Sequence, residues 1–438
     1  MDKFMHKMGI TGKFKENFGR ILIIAIAVSI IGGLPFFRFD YYDVYLKTYN
    51  LTNTQMGMFG TIIGITGIFS YLFGGLIADG LKLKKIIVIS LTATGIGGLL
   101  HLLPIGFKGL VLIYCVWGIS TTFAFWPACV KAIRIMSDND SEGKAFGFFE
   151  GFKNIFAGII ALIAIWLFNI AAVRMDNKLL AMRYVILFYS LANIITAICA
   201  YHFINDENTV FHSARSNFKG IGKLIKNPSI WIICIISFCN HIYCISLYYY
   251  IPYATNIFQA TVVFGAFLGV LRKFGSIGGN IFGGYLTDNI GTYKVMFISY
   301  FVVLLSQIVL LLVPVNPSLL FIITFIFTVI VVFFNMNMAM SWTMMTEGGI
   351  PVEYSGTAAG LISTAGAVPE VFISVMAGKL IDNNPGAQGY RLFFYFLTFV
   401  TFVAFAFVII WGKYLKNNRI KAAKLDEESK DKIKVCIH

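Results

Sequence analysis

The sequence predicts an all-α membrane protein with twelve transmembrane helices arranged as two pseudo-symmetric bundles of six. Its 438 residues are 58% hydrophobic and 13% charged, whereas soluble domains contain roughly 25% charged residues. The apolar residues occur in runs of about 20 or more, the length that crosses the hydrocarbon core of a bilayer. A short glycine-rich sequence near the end of the second run recurs near the end of the eighth. Composition, run length and this repeat together predict the fold class.

Six apolar runs occupy the first half of the chain and six occupy the second. The first six lie at 20–46, 53–79, 85–105, 109–136, 143–171 and 182–204. The second six lie at 228–256, 260–287, 293–314, 318–346, 355–381 and 391–415. Each run is far longer than a barrel strand of about ten residues, so helices are expected. Pro35 should bend the first helix, because proline cannot donate the backbone hydrogen bond of a helix interior.

The polar segments between the runs set the predicted domain boundaries. Residues 1–204 form an N-terminal six-helix bundle and residues 228–415 a C-terminal one. Between them, residues 205–227 form the longest polar linker, and residues 416–438 form a charged tail.

Basic residues predict how the chain is oriented in the membrane. The net charge of +14 is not one patch, so nucleic acid is not an expected partner. Lysine and arginine concentrate in alternate loops, and the opposite loops are poor in them. The rich segments are 1–20, 82–85, 134–144, 205–227 and 413–424. Because such loops stay in the cytoplasm, we expect a multi-pass protein of the cell membrane with both termini, the linker and the tail cytoplasmic.

The seven cysteines lack the paired spacing of a metal site or of a disulfide framework. They are expected to be small buried hydrophobic residues. No metal ion and no cofactor is predicted, and a monomer in the lipid bilayer is expected.

The repeated sequence indicates a function. Phe73–Asp79 reads FGGLIAD, and Phe282–Asp288 reads FGGYLTD. Lys85 and Lys294 then follow at the same distance. The two copies are separated by nearly half of the chain, so the two halves are related. Two related halves made of membrane helices are typical of a transporter.

The same residues carry a resemblance to a family. In the major facilitator superfamily, the loops after helices two and eight read G-x-L-A-D-R-x-G-R-K. The second copy here keeps Gly284, Asp288, Gly291 and a late base, whereas the first copy departs by having Gly80 in place of the arginine. The chain thus resembles this superfamily over nearly its whole length, which implies alternating-access transport.

The resemblance also implies a conformational latch. An aspartate at a helix end would face the backbone N–H groups of a neighbouring helix and hold one state closed. The residues that match this latch are Gly75, Asp79, Lys85, Gly284, Asp288, Gly291 and Lys294. The drug–proton antiporter branch is disfavoured, because segment 116–122 of helix four lacks the arginine of that branch and segment 158–162 lacks its Gly-Pro pattern.

Polar and charged residues inside the spans are the candidates for the transport site. A charge near the bilayer centre costs about 2.5–3.5 kcal/mol, so the retained ones usually line a cavity or pair with each other. The substrate-binding candidates are Arg38, Tyr42, Lys153, His241, Tyr243, Arg272, Lys273, Asn335 and Asn337. The coupling candidates, for a co-transported proton or cation, are Asp40, Glu150 and Glu370.

Several of these residues have a second interpretation. Lys153 and Glu150 are three residues apart, so they share a helix face and can pair with each other. Arg272 and Lys273 are about 100° apart on a helix, so at most one is expected to point straight into a cavity. His241 can be a hydrogen-bonded core histidine, and Glu370 can neutralise a base instead of carrying a proton.

Arg38 lies where organic-phosphate antiporters of the superfamily keep an arginine on helix one. Their matching arginine on helix seven is absent, because Tyr243 and Cys244 occupy that position. Phosphate specificity therefore does not follow from the resemblance.

The excess of basic candidates predicts a transporter of a small organic anion, such as a sugar acid, a carboxylate or an organophosphate. The alternative is a proton- or cation-coupled transporter of a neutral sugar or other small solute, a symporter that uses the acidic candidates. A membrane enzyme is disfavoured because no catalytic set is clustered in the sequence. A receptor is disfavoured because segment 416–438 is too short for a signalling domain.

Overall fold

The structure is a computed structural model that describes residues 12–69, 82–123, 125–136, 142–204, 221–340, 343–350 and 355–435. Throughout these ranges the regular secondary structure is helical. The helices form the twelve predicted spans, here named α1 to α12. The predicted fold class is confirmed.

Several spans consist of more than one helical segment. The N-terminal spans are α1 (Phe18–Ile31, Gly33–Asp40 and Tyr42–Tyr49), α2 (Asn53–Phe69), α3 (Leu83–Leu100), α4 (Phe107–Gly118, Ile119–Phe123 and Phe125–Ile135), α5 (Glu142–Met175) and α6 (Lys178–Phe203). The C-terminal spans are α7 (Pro228–Ser246, Leu247–Tyr249 and Tyr250–Ile257), α8 (Val262–Ile290), α9 (Thr292–Leu312), α10 (Pro317–Leu319 and Leu320–Met340), α11 (Ser355–Asn383) and α12 (Ala387–Val435). Short helices also occur at Gly12–Glu16, Ile221–Ile225 and Thr343–Glu347.

In the described ranges, nine helices are long and apolar enough to cross a membrane, and the first two segments of α1 together make a tenth. The remaining two spans do not reach that length as one described helix. The description of α2 stops at Phe69, and a π-helical turn at Ile119–Phe123 divides α4. The predicted boundaries of the bundles, linker and tail stay predictions, and α12 continues as one helix to Val435.

The bend in α1 has a local cause. Segments Phe18–Ile31 and Gly33–Asp40 meet at 48°. Pro35 has no N–H to donate to the carbonyl of Ile31, four residues earlier, and its ring would clash with that carbonyl in a straight helix. The predicted bend is therefore confirmed, and it places Gly32 at the corner.

Asparagine and threonine side chains cap the first turns of several of the other spans. The Asn177 side chain accepts from two backbone amides of the first turn of α6, and Thr261 accepts from the amide of Phe264 in α8. Asn227 accepts from the amide of Ser229, with Pro228 at the first position of α7. These are favoured residues at a helix start, because they satisfy amides that have no partner within the helix.

Each bundle is held together by its own helix pairs. In the first, α6 packs on α3, α5 packs on α1 and α6, and α2 packs on α4. In the second, α8 packs on α10, α7 packs on α11 and α12, and α9 packs on α10 and α12. The bundles meet along two long seams, α2 with α11 and α5 with α8.

Glycines make the α2–α11 seam close. A methyl group at Gly64 would lie 2.6 Å from the carbonyl carbon of Glu370. At Gly60 it would lie 2.6 Å from the Ser374 hydroxyl. Small residues let two helix backbones approach to this distance, which favours association where no hydrophobic force acts between helices.

Candidate functional site

A cavity of about 420 Å³ lies between the two bundles at the bend of α1. Residues of α1, α5, α6, α7, α8 and α10 line it. Just after the corner of α1, Gly33 must lack a side chain, because a methyl group there would lie 2.5 Å from the ring of Tyr189 on α6. The cavity is thus built where six spans from both halves converge.

Four of the predicted charged residues line this cavity. Lys153 comes from α5, Arg272 and Lys273 come from α8, and Asp40 comes from α1. Both Arg272 and Lys273 contribute to the lining. That at most one of them points straight into the cavity stays a prediction. Asn335 of α10 also lines it. The described lining thus contains three bases and one carboxylate.

Aromatic rings hold the guanidinium group of Arg272. Its Cζ lies 4.0 Å from the ring centroid of Tyr248, in the 3-10 turn of α7. Tyr248 in turn stacks on Phe39, with centroids 4.3 Å apart, and on Phe36 at 6.0 Å. The Nε atom of Arg272 is buried and has no hydrogen-bond partner. The cation–π contact with Tyr248 orients the guanidinium group while leaving donor capacity for a ligand.

Lys153 forms the ion pair that its spacing allowed. Its Nζ lies 2.5 Å from Glu150 Oε2 and 5.1 Å from the ring centroid of Trp126. Lys153 lines the cavity, whereas the Glu150 side chain is 44% exposed and is not part of the lining. The Glu150 end of this ion pair is exposed to solvent, and the Lys153 end contributes a base to the cavity lining.

Asp40 is placed differently from these bases. Its Oδ1 is buried without a hydrogen-bond partner. The carboxyl group lies against α8, where a methyl group at Gly269 would be 3.0 Å from its Cγ. Arg272 and Lys273 line the same cavity, yet Asp40 forms no ion pair within 4.0 Å in the described part of the chain.

The serine and asparagine side chains of the lining are bonded within the protein. The Ser29 hydroxyl lies 2.7 Å from the backbone carbonyl of Lys153, and Asn154 Nδ2 donates to the carbonyl of Glu150. Ser276 donates to Asn335 Oδ1 at 2.8 Å, and Asn335 Nδ2 donates to a backbone carbonyl. Much of their hydrogen-bonding capacity is therefore used.

Arg38 does not line the cavity. It is fully buried behind α1, where its Nη1 donates to the carbonyl of Pro35. Its Cζ lies 4.4 Å from the ring centroid of Phe39 and 4.9 Å from that of Tyr114. Its Nε and Nη2 have no hydrogen-bond partner. In this conformation Arg38 lies beside α2 and α4 and does not line the cavity.

Two further candidates lie inside the C-terminal bundle. Gln307 Nε2 donates to the hydroxyls of Tyr243 and Tyr250. Asn337 is buried and accepts from Ser299 at 2.5 Å. Hydrogen bonds between helices of one bundle account for these polar groups.

Three candidates lie at seams between helices. Tyr42 donates to Asn53 Oδ1 at 2.6 Å, next to the start of α2. His241 Nδ1 donates to the carbonyl of Ser237 at 2.9 Å, and its ring packs on α11, so its contacts match the core-histidine interpretation. Glu370 lies in the α2–α11 seam beside Gly64.

The first copy of the latch falls mostly outside the described residues. Gly75 and Asp79 are in segment 70–81, which the structure does not describe. Lys85 is exposed in the first turn of α3.

The second copy joins α8 to α9. Gly284 and Asp288 are in the last turns of α8, and the Asp288 side chain lies outside the described part. Gly291 has φ +85°, which favours glycine, and its N–H donates to the carbonyl of Thr287. Lys294 is exposed in the first turn of α9.

The structure shows a carboxylate cap that sequence reasoning missed. Asp382, near the end of α11, accepts from the backbone amides of Asn53 and Thr54 at 3.1 and 2.8 Å. It also accepts from the side chains of Asn53 at 2.7 Å and Thr54 at 2.5 Å. A carboxylate of the second bundle thus caps the N-terminus of α2 in the first. We call these three residues the Asp382 cap.

A second contact lies on the same side of the membrane helices. Asp43, at the start of the last segment of α1, accepts from the Thr255 hydroxyl of α7 at 2.5 Å. This side is opposite the ends at which the chain enters α1 and leaves the last membrane span. The two bundles therefore touch each other on the side opposite the termini.

Two six-helix bundles around a charged central cavity define a membrane transporter rather than an enzyme. The chain belongs to the Major Facilitator Superfamily, because the family model matches residues 17–374.

Two curated relatives are inner membrane proteins. The inner membrane protein YihN of Escherichia coli K12 is 25% identical over 399 residues, covering 87% of this chain and 91% of its own. The inner membrane protein YqcE of the same organism is 25% identical over 395 residues, covering 86% and 91%.

Solved structures share the fold. A bacterial homologue of the human lysosomal transporter Spinster, inward-facing and occupied, has a TM-score of 0.70 at 13% identity, over 92% of this chain and 98% of its own. The nucleoside transporter NupG has a TM-score of 0.69 at 12% identity, over 90% and 98%. At these identities the likeness concerns the fold alone.

Proposed function

We propose that this transporter carries a small organic anion, of the class of sugar acids, carboxylates or organophosphates, by alternating access. The observation that supports this most directly is the charge of the central cavity. Lys153, Arg272 and Lys273 line it together with a single carboxylate, Asp40. An anion between these bases compensates charge that is otherwise costly inside the membrane.

The origin of the bases supports a role in transport. Lys153 belongs to the first bundle, whereas Arg272 and Lys273 belong to the second. An anion between them interacts with both bundles at once, so its binding favours the conformation in which the bundles are close around it. Arg272 supplies a planar fork suited to a carboxylate or phosphate, and the lysines supply point charges.

The orientation of the cavity follows from the predicted topology. The bundles touch through the Asp382 cap and through Asp43 on the side opposite the termini. If both termini are cytoplasmic, this closed side is the outer one. Under the proposal, the structure then corresponds to a state closed to the outside.

Co-transport of a proton or cation is part of the proposal. Of the acidic candidates, Asp40 lines the cavity beside the bases, so it is best placed to link substrate and ion. Glu150 is committed to Lys153, and Glu370 lies away from the lining. The protein is expected to function as a monomer.

The test measures ligand binding to the purified protein. Isothermal titration with organic acids, organophosphates and neutral sugars should detect binding of at least one anion and of no neutral sugar. Arg272→Gln should weaken the anion roughly tenfold or more, the effect of losing one charge-assisted pair of about 1.5–3 kcal/mol. Arg174→Gln, at an exposed arginine at the end of α5, is the matched control and should bind as wild type.

The opposite result is equally informative. Binding of a neutral sugar with no detectable binding of any anion would refute the anion proposal. It would support the alternative, a symporter of a neutral solute in which the acidic residues serve coupling.

A further inference from the structure

We infer that the substrate anion also carries a hydroxyl group, and that Asp40 accepts a hydrogen bond from it. This inference rests on the proposed function, since it assumes that the cavity binds an organic anion. It makes Asp40 a specificity-determining residue for substrate recognition.

The first argument concerns the polar groups that a ligand can use. The Ser276 hydroxyl and the Asn335 amide are bonded to each other and to the backbone, and Ser29 and Asn154 contact backbone carbonyls. By contrast, Asp40 Oδ1 and Arg272 Nε are buried and have no partner in the protein. Both residues line the cavity. Buried polar atoms are normally hydrogen-bonded, so polar groups of the lining that lack a partner in the protein are the ones for which a ligand can supply one.

The second argument concerns chemical type. An ionised carboxylate only accepts hydrogen bonds, and guanidinium and ammonium groups only donate them. A ligand that satisfies Arg272 and Lys273 must therefore be an acceptor, as an acid group is. A ligand that satisfies Asp40 must be a donor, and a hydroxyl group is the donor that leaves the ligand anionic.

The third argument concerns spacing. Asp40 contacts α8 at Gly269, and Arg272 and Lys273 follow three and four residues later on the same helix. Residues at these separations share a helix face about one turn, or roughly 5–6 Å, apart. The hydroxyl and acid groups of the ligand should therefore be separated by only a few bonds, as in sugar acids and glycerol phosphates.

The same geometry disfavours anions without a hydroxyl group. Such a ligand would leave the Asp40 carboxylate without a hydrogen-bond donor and close to the negative charge of the ligand. A charge-assisted hydrogen bond is lost and a like-charge contact remains. We therefore expect the deoxygenated partner of a good ligand to bind at least about tenfold more weakly.

The experiment compares two pairs of anions by isothermal titration. D-gluconate is paired with hexanoate, and glycerol 3-phosphate with propyl phosphate. In wild type, the hydroxylated member of at least one pair should bind at least about tenfold more tightly. In Asp40→Asn and Asp40→Ala this ratio should fall towards one, while the deoxygenated anion binds as well as before or better, because a repulsive charge has been removed.

A matched control separates recognition from structure. Asp43→Asn makes the same change three residues later on α1, outside the cavity lining. Because it does not touch the ligand, it should change both members of a pair alike and leave the ratio at the wild-type value. A purely structural role of Asp40 would likewise leave the ratio unchanged.

The outcomes distinguish this inference from the proposed function. If hydroxylated and deoxygenated anions bind wild type equally, or if the ratio survives in both Asp40 variants, the inference is overturned while the anion proposal stands. If neither these four anions nor any other organic acid or organophosphate of the panel binds, both are overturned.

Discussion

The Asp382 cap yields a prediction about the conformational equilibrium. In the structure, one carboxylate accepts four hydrogen bonds from Asn53 and Thr54 across the interface between the bundles. These bonds exist only while the bundles touch on the side opposite the termini. Asp382→Ala should therefore destabilise this closed state relative to the state that is open on that side.

The magnitude follows from the kind of contact. Loss of a helix cap costs about 0.5–2 kcal/mol. The two additional side-chain bonds add roughly 1 kcal/mol together, because Asp382 is exposed and solvent competes for them. The sum, about 1.5–3 kcal/mol, corresponds to a shift of roughly 10- to 150-fold in the population ratio of the two states.

Double electron–electron resonance between spin labels tests this shift. Cysteines at Lys178 and Ser318 place one label on each bundle, at exposed sites on the side that is closed here. Asp382→Ala should add a population with a longer distance. Asn383→Ala, a change at the adjacent exposed residue, is the matched control and should keep the wild-type distribution.

A folded Asp382→Ala protein with the wild-type distance distribution would refute the reasoning. That result would mean that the cap is replaced by water without net loss, as happens at many exposed ion pairs.

Three other predictions concern the site, the topology and the latch. Arg272→Lys should lower anion affinity roughly tenfold in isothermal titration, since a point charge cannot reproduce a bidentate fork. Arg38→Lys should lower the thermal unfolding temperature and leave anion affinity unchanged. Equal losses of affinity in the two variants would contradict the placement of Arg272 in the cavity and of Arg38 outside it. In a cysteine-free background, Ser318→Cys should react with an impermeant maleimide in intact cells and Lys226→Cys should not; labelling of Lys226→Cys would reverse the orientation. Asp288→Asn should slow transport in proteoliposomes with little change in binding, and a wild-type rate would exclude the latch role.

The fold was predictable because the membrane restricts the choice. A chain with runs this long and this apolar has only helices available to satisfy its backbone, so run length gives the spans almost directly. The bend at Gly32 was predictable from Pro35, because the missing N–H acts on its own helix. The ion pair of Lys153 with Glu150 was predictable for the same reason.

The cavity lining was harder to predict, because it depends on helix rotation. In a span that is apolar all round, periodicity does not show which face meets the cavity. Arg38 and Asp40 are two residues apart on α1, and the structure places only Asp40 in the lining. Tyr243 and Asn337 are bonded inside their own bundle, a property of neighbouring helices that no local pattern shows.

The Asp382 cap could not be predicted from the sequence, because its partners are distant along the chain. The same type of contact was predicted at a different place, the latch. The partners of Asp382 are 328 and 329 residues away in the sequence, so no spacing rule connects them. The predicted latch at Asp79 and Asp288 uses the same chemistry, a carboxylate at a helix N-terminus, on the opposite side of the membrane.

Alternating access explains why a transporter would have one such contact on each side of the membrane, the Asp382 cap on one and the predicted latch on the other. A protein that closes on one side at a time needs a contact that stabilises each closed state, and the two contacts must not form together. Neither contact can be strong, because a contact worth much more than the differential binding energy of the substrate would trap the protein in one state. An exposed carboxylate cap of about 1.5–3 kcal/mol meets this requirement, since it selects a state while remaining easy to break.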